Sequence, residues 1–137
     1  MKKLSILIAL SLLLTLVSCA QKEPNDVVLT SDKTVYSADA KTITVDWQNN
    51  SDEEIMFGNP FHLEKKDGEW KKVEPKTDAT FTMPAYLLQP GKSKGHTYSI
   101  DFYGGLKTGE YRLCATYMIY SDEQHIEYPV YFYFEVE

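Results

Sequence analysis

Beyond residue 26, apolar and polar residues alternate with a period of two through most of the chain. From Thr42 to Gln48, Ile43, Val45 and Trp47 share one side while Thr44, Asp46 and Gln48 share the other, which predicts a half-buried strand. Asn49-Asn50-Ser51-Asp52 follows, with side chains that bond their own backbone and favour a chain reversal before Ile55-Met56-Phe57. Phe61 and Leu63 alternate with His62 and Glu64, and Asp67-Gly68 predicts a hairpin turn into Trp70 and Val73. Pro90-Gly91 marks a turn before a polar alternating run from Lys92 to Asp101, and Gly104, Gly105 and Gly109 loosen the next connection. Glu110 to Tyr120 and His125 to Val136 are long β-rich runs joined by Ser121-Asp122-Glu123-Gln124. They are expected to pair antiparallel.

No stretch of residues 27–137 combines helical periodicity with sufficient length. Short strands with frequent turn signals predict an all-β fold, an immunoglobulin-like antiparallel β-sandwich of about seven or eight strands. Tyr111, just after Gly109, fits the tyrosine corner of such sandwiches. Cys114 stands three residues beyond that tyrosine and not two, so it faces the other way and does not reproduce an antibody-type core disulfide.

The N-terminus has a different character. Met1-Lys2-Lys3 is a positive head, and Leu4 to Val17 is apolar apart from Ser5, Ser11 and Thr15. A spanning helix needs roughly 20 apolar residues, so the run is short for a span and fits a cleaved signal helix. Its ending, Leu16-Val17-Ser18-Cys19, resembles the bacterial lipobox, in which a small residue precedes a cysteine that is lipidated and becomes the new N-terminus. Head, apolar run, small residue and cysteine coincide, which favours residues 1–18 as a lipoprotein signal peptide over an ordinary secretory signal cut after Ala20 or a retained helix. Cys19 is then the lipidation site, and two acyl chains on its sulfur hold a protein stably where one holds it marginally. Residues 19–26 form the anchor and a tether; the stretch after the cysteine reaches at most about 25 Å, which places the domain of residues 27–137 close to the bilayer on its extracytoplasmic face.

Charge narrows the partners. Against 20 Asp and Glu stand 14 Lys and Arg, two of them in the leader. So acidic a chain lacks the basic footprint that nucleic acid requires. The 137 residues suffice for one domain, and with 43% hydrophobic residues that domain buries a core rather than staying disordered. Once Cys19 carries lipid, Cys114 has no intramolecular partner and reads as a packed small side chain.

Several segments together resemble a known family. They are Thr34-Val35-Tyr36, Ile43-Thr44-Val45, Asn49-Asn50-Ser51-Asp52-Glu53-Glu54, Phe57-Gly58, Phe61-His62-Leu63-Glu64-Lys65-Lys66, Gly68-Glu69-Trp70, Leu88-Gln89-Pro90-Gly91 and Gly109-Glu110-Tyr111-Arg112. Their order and spacing are similar to the bacterial immunoglobulin-like domain of secreted and membrane-attached proteins of Gram-positive bacteria. The resemblance covers nearly everything from Val27 onward. It implies a β-sandwich accessory domain and supplies no catalytic residue or cofactor.

Candidate chemistry is sparse. His62, His96 and His125 fall in separate segments without metal-ligand spacing, so no metal site is expected. Asp52-Glu53-Glu54 and Asp122-Glu123 lack the loop pattern of a calcium site and read as solvated turns. No hydrolytic carboxylate pair, nucleophile elbow or phosphate loop is present, which points to a non-enzyme without cofactors. The last two strands are apolar on both sides. Tyr111, Leu113, Ala115, Tyr117 and Ile119 share a side with Ile126, Tyr128, Val130, Phe132, Phe134 and Val136, leaving Cys114, Met118, Tyr120, Tyr131 and Tyr133 on the other. Met118, Tyr120, Tyr131 and Tyr133 form the candidate binding face, suited to stacking on a sugar or anchoring a protein contact. Alternatively, the segment from Thr77 to Leu88, with Phe81, Met83, Pro84 and Tyr86, folds across and covers it, which the rarity of large exposed apolar patches favours. The expected function is a membrane-anchored binding or adhesion module engaging an envelope protein or glycan. The alternative is a proteinase-inhibitor-like or sensory accessory domain.

Overall fold

The computed structural model describes residues 26–137; the signal segment, Cys19 and all of the tether before Asp26 lie outside the described residues. Ten strands form: β1 Val27–Thr30, β2 Val35–Tyr36, β3 Thr42–Asn49, β4 Ile55–Phe57, β5 His62–Asp67, β6 Glu69–Lys72, β7 Tyr86–Leu88, β8 Ser93–Ser99, β9 Gly109–Ile119 and β10 Tyr128–Val136. One sheet has the order β1-β3-β8. The larger has the order β2-β10-β9-β4-β7, with β5 also paired to β9 and β6 beyond it. Pairing is antiparallel except for the short β2, which runs parallel to β10.

The expected alternation is present where it was strongest. Ile43, Val45 and Trp47 of β3 are buried, as are Tyr111, Leu113, Ala115 and Tyr117 of β9 and Val130, Phe132, Phe134 and Val136 of β10. These rows face each other across the sandwich and form one core. The count exceeds the expected number of strands because the short β1, β2 and β7 add to the expected runs, and β4 and β5 are two pieces of one line along β9. β4 pairs with the Tyr117–Ile119 end of β9 and β5 with the Tyr111–Cys114 part, the two separated by Gly58-Asn59-Pro60-Phe61. Pro60 has no N–H to continue the ladder, so the strand breaks there. Gly68, at φ +72°, takes the left-handed turn expected of the Asp-Gly hairpin between β5 and β6. The final strand begins at Tyr128 and not His125. His125 itself has φ +51°, and Ile126 is exposed in the connection, outside the core row.

Three polar contacts fix the sandwich, one within the smaller sheet, one at the start of β9 and one between the sheets. Trp47, fully buried, stacks on Phe57 of the opposite sheet at 4.1 Å, and its Nε1–H donates to the Tyr98 hydroxyl at 3.1 Å. The Tyr111 hydroxyl donates to the Lys107 carbonyl at 2.6 Å, which is the expected tyrosine corner. Asn49, at the end of β3, is also fully buried. Its Nδ2 donates to the carbonyls of Glu53 (2.8 Å) and Leu88 (2.9 Å), while Oδ1 accepts from the Ser51 amide (3.1 Å) and hydroxyl (2.6 Å). One amide thus clamps the smaller sheet to the β4 turn and to β7 of the larger.

Replacing Asn49 with Ala removes a donor from both carbonyls in a site closed to water, leaving Glu53 only the Ser51 hydroxyl at 3.1 Å. We expect Asn49→Ala to cost about 2–4 kcal/mol of unfolding free energy, measured as a shift of the urea midpoint; a change under about 0.5 kcal/mol would contradict the clamp.

Candidate functional site

Strand parity decides what the outer surface of the larger sheet carries. With Tyr111, Leu113 and Ala115 turned inward, Glu110, Arg112 and Cys114 turn outward. The registers then align His62 with Cys114 and Tyr131, and Glu64 with Arg112 and Tyr133. On the outer strand, Trp70 pairs with Lys66 and Lys72 with Glu64. A band of ionic and aromatic side chains therefore crosses four strands.

Arg112 is its centre. Its Nε donates to Glu64 Oε2 at 2.5 Å, and these two side chains are only 17% and 18% exposed. The guanidinium carbon lies 4.2 Å from the Tyr131 ring centre and 4.7 Å from that of Trp70, both within cation–π range. Trp70 in turn meets Tyr133 at 5.7 Å, and Tyr133 meets Tyr131 at 6.4 Å. Glu64 Oε1 stands 3.2 Å from His62 Nε2. Burial by itself would raise the Glu64 pKa, but the hydrogen bonds from His62 and Arg112 outweigh it and hold the carboxyl below its ordinary value. Cys114 faces outward yet is buried beneath these groups, and burial pushes its thiol up to about 12. A protonated, enclosed thiol is a poor nucleophile.

Beside this cluster opens a groove of about 490 Å³ between β2, β6 and the starts and ends of β9 and β10. Trp70 and Tyr133 wall it, and Glu110, Glu135, Lys66 and Thr34 surround it. Lys66 Nζ lies 3.6 Å from Glu110 Oε2 at its rim. Tyr133 is 55% exposed, so the aromatic wall is open to solvent.

The four residues expected to share a face are divided by the register. Tyr131 and Tyr133 join the band, whereas Met118 pairs with Met56 of β4 toward the other end of β9, followed by the exposed Tyr120. Met118 lies four positions along the strand from Cys114, roughly 14 Å away. The expected cover from the segment Thr77 to Leu88 is a correction. Phe81 packs on Phe61 (5.6 Å) and Phe102 (6.0 Å), Asn59 Nδ2 donates to Thr82 Oγ1 (2.8 Å), and Tyr86 enters β7. Phe61 touches Tyr98 of β8 at 4.9 Å, so this segment seals the open side between the sheets at the strand break, away from the tyrosines. Trp70, Arg112, Glu64 and His62 were not singled out as surface residues from sequence. Parity from Tyr111 points Arg112 outward, but only the β5 register brings the other three to it.

The Glu64–Arg112 pair carries a pH signature. A depressed carboxyl pKa contributes stability above the ordinary value of 4.5, and that contribution is lost as pH falls through the folded value. Glu64→Gln is expected to lower stability at pH 7 by about 2 kcal/mol and to flatten the loss seen between pH 5 and 3, both read from urea midpoints. Equal acid slopes in the two proteins would refute this.

Comparison with known proteins bears on the fold. No curated protein matches the chain. Among solved structures, it is similar to the periplasmic chaperone SfaE, with 19% identity, 81% of this chain and 58% of that one covered, and a TM-score of 0.47. It is also similar to the E. coli chaperone DraB, with 15% identity, 80% and 53% covered, and a TM-score of 0.47. The chain spans a little over half the length of these chaperones. The PapD-like domain 7 of human CEP192 matches with 12% identity, 96% and 94% covered, and a TM-score of 0.41. The family model for the bacterial Ig-like domain matches residues 23–132, well over half of the chain. The two-sheet sandwich, its tyrosine corner and this match agree: the chain belongs to the bacterial Ig-like domain family.

Proposed function

We propose that this chain is a non-catalytic binding module, lipid-anchored at the extracytoplasmic face of the cell membrane, whose outer-sheet groove takes a glycan of the envelope. The observation that carries this reading is the open groove walled by Trp70 and Tyr133 and edged by Glu110, Glu135 and Lys66. Aromatic rings give a sugar's C–H faces a flat apolar surface, and carboxylates and an ammonium accept and donate to its hydroxyls. The ring positions are already supported: Arg112 packs on Trp70, and Tyr131 packs on Tyr133, so little side-chain freedom is lost on binding. The lipobox-like ending at Cys19 supports the anchor, and the short tether supports a ligand close to the bilayer.

Two experiments test the two halves. A glycan array and a sedimentation assay with purified envelope polysaccharide should retain the protein. Trp70→Ala and Tyr133→Ala should each weaken retention by about five- to tenfold, while Met83→Ala, on an exposed side chain outside the groove, should not. Empty arrays and unretained protein would overturn the glycan reading. For the anchor, the wild-type chain expressed in a bacterium should incorporate labelled fatty acid and sediment with membranes, and Cys19→Ala should do neither; an unlabelled wild-type protein would refute lipidation.

A further inference from the structure

The spacing of histidines along the chain suggests no metal site, but the β5–β9 register assembles one set of donors across strands. His62, Glu64 and Cys114 present one imidazole nitrogen, one carboxylate oxygen and one sulfur, all within 4.8 Å of one another. We propose that these three side chains bind a zinc ion, or a divalent ion of similar softness, with a fourth position left open.

The donor chemistry selects the ion. A thiolate and an imidazole favour zinc and its neighbours over calcium or magnesium, which take oxygen ligands. Zinc–ligand distances of about 2.0–2.3 Å place the corners of a tetrahedron about 3.3–3.8 Å apart. The His62 Nε2 to Glu64 Oε1 separation of 3.2 Å already matches one edge, and the remaining donors close by about an ångström through side-chain rotation. On binding, the thiol proton leaves to solvent. Thiolate and carboxylate then offset the 2+ charge in part; because Arg112 shares the carboxylate, the site keeps a net positive charge, which suits an anion such as hydroxide at the open position.

Two further observations point to a ligand site. A cavity of about 320 Å³ opens onto all three donors, bounded also by Tyr131, Pro129 and Lys72, with room for a water or small anion at the open position. Glu64 also has its other oxygen, Oε2, held by Arg112, which leaves Oε1 aimed at the His62 side. An outer partner that orients a ligating carboxylate in this way is the usual support of a protein metal site. The site is separate from the glycan groove, which none of the three donors lines.

The test is cobalt titration of the purified full chain. Expected is one equivalent bound, a thiolate-to-cobalt charge-transfer band in the near ultraviolet, and loss of that band on adding zinc. Cys114→Ser should abolish the band, and His62→Ala should weaken cobalt affinity at least about tenfold. Circular dichroism establishes that each variant folds; should Cys114→Ser not fold, the wild-type band and the His62→Ala affinity decide. No band, a band that survives Cys114→Ser and so belongs to Cys19, or an affinity unchanged by His62→Ala would each overturn the proposal. Glycan retention unaffected by zinc is compatible with it, so failure of either reading is distinguishable from failure of the other.

Discussion

The structure hangs on the parity of β9. This strand pairs with β10 along one edge and with both β4 and β5 along the other. Tyr111, Leu113, Ala115 and Tyr117 lie in the core because they alternate with Glu110, Arg112, Cys114 and Thr116. A one-residue slip would exchange the two rows, placing a guanidinium inside and Tyr111, Leu113 and Tyr117 outside. The cost of burying Arg112 unpaired, added to the exposure of the apolar row, makes that alternative inaccessible. The tyrosine corner reinforces the register, since the Tyr111 hydroxyl reaches Lys107 only from the inward row.

Polar contacts at the ends of the strands complete what apolar packing leaves open. Apolar surface is non-directional and would tolerate sliding between sheets. Asn49 is directional across the two sheets, and the Trp47–Tyr98 bond is directional between β3 and β8 of the smaller one, both where water does not reach. Among the described residues, no buried side-chain nitrogen or oxygen lacks a partner. The sandwich therefore stands without a disulfide among the described residues: Cys114 is a free thiol.

The same parity that protects the core concentrates chemistry outside it. Arg112 neutralises Glu64, lies over two aromatic rings and fixes the wall of the groove. Rigid strands set these positions, and loops do not, which suits a surface meant to be pre-organised for a ligand. Its neighbours on β5 and β9 supply donors for an ion, so one arginine supports both the aromatic wall and the metal-ligating carboxylate.

Period-two alternation, Asp67-Gly68, Pro90-Gly91 and the Tyr111 spacing sufficed by themselves to determine an all-β sandwich, its hairpin and its two long final strands, because side-chain parity and turn chemistry are local. They also placed Tyr131 and Tyr133 on an outward face. What lay beside those tyrosines was decided only by tertiary structure. His62 and Cys114 are 52 positions apart in sequence, and no local rule sets a register across that separation; it follows from where Pro60 breaks the strand and Leu63 enters the core. The destination of residues 77–85 was likewise not local, because Phe81 could pack on any exposed apolar surface and found the gap beside Phe61 and Phe102.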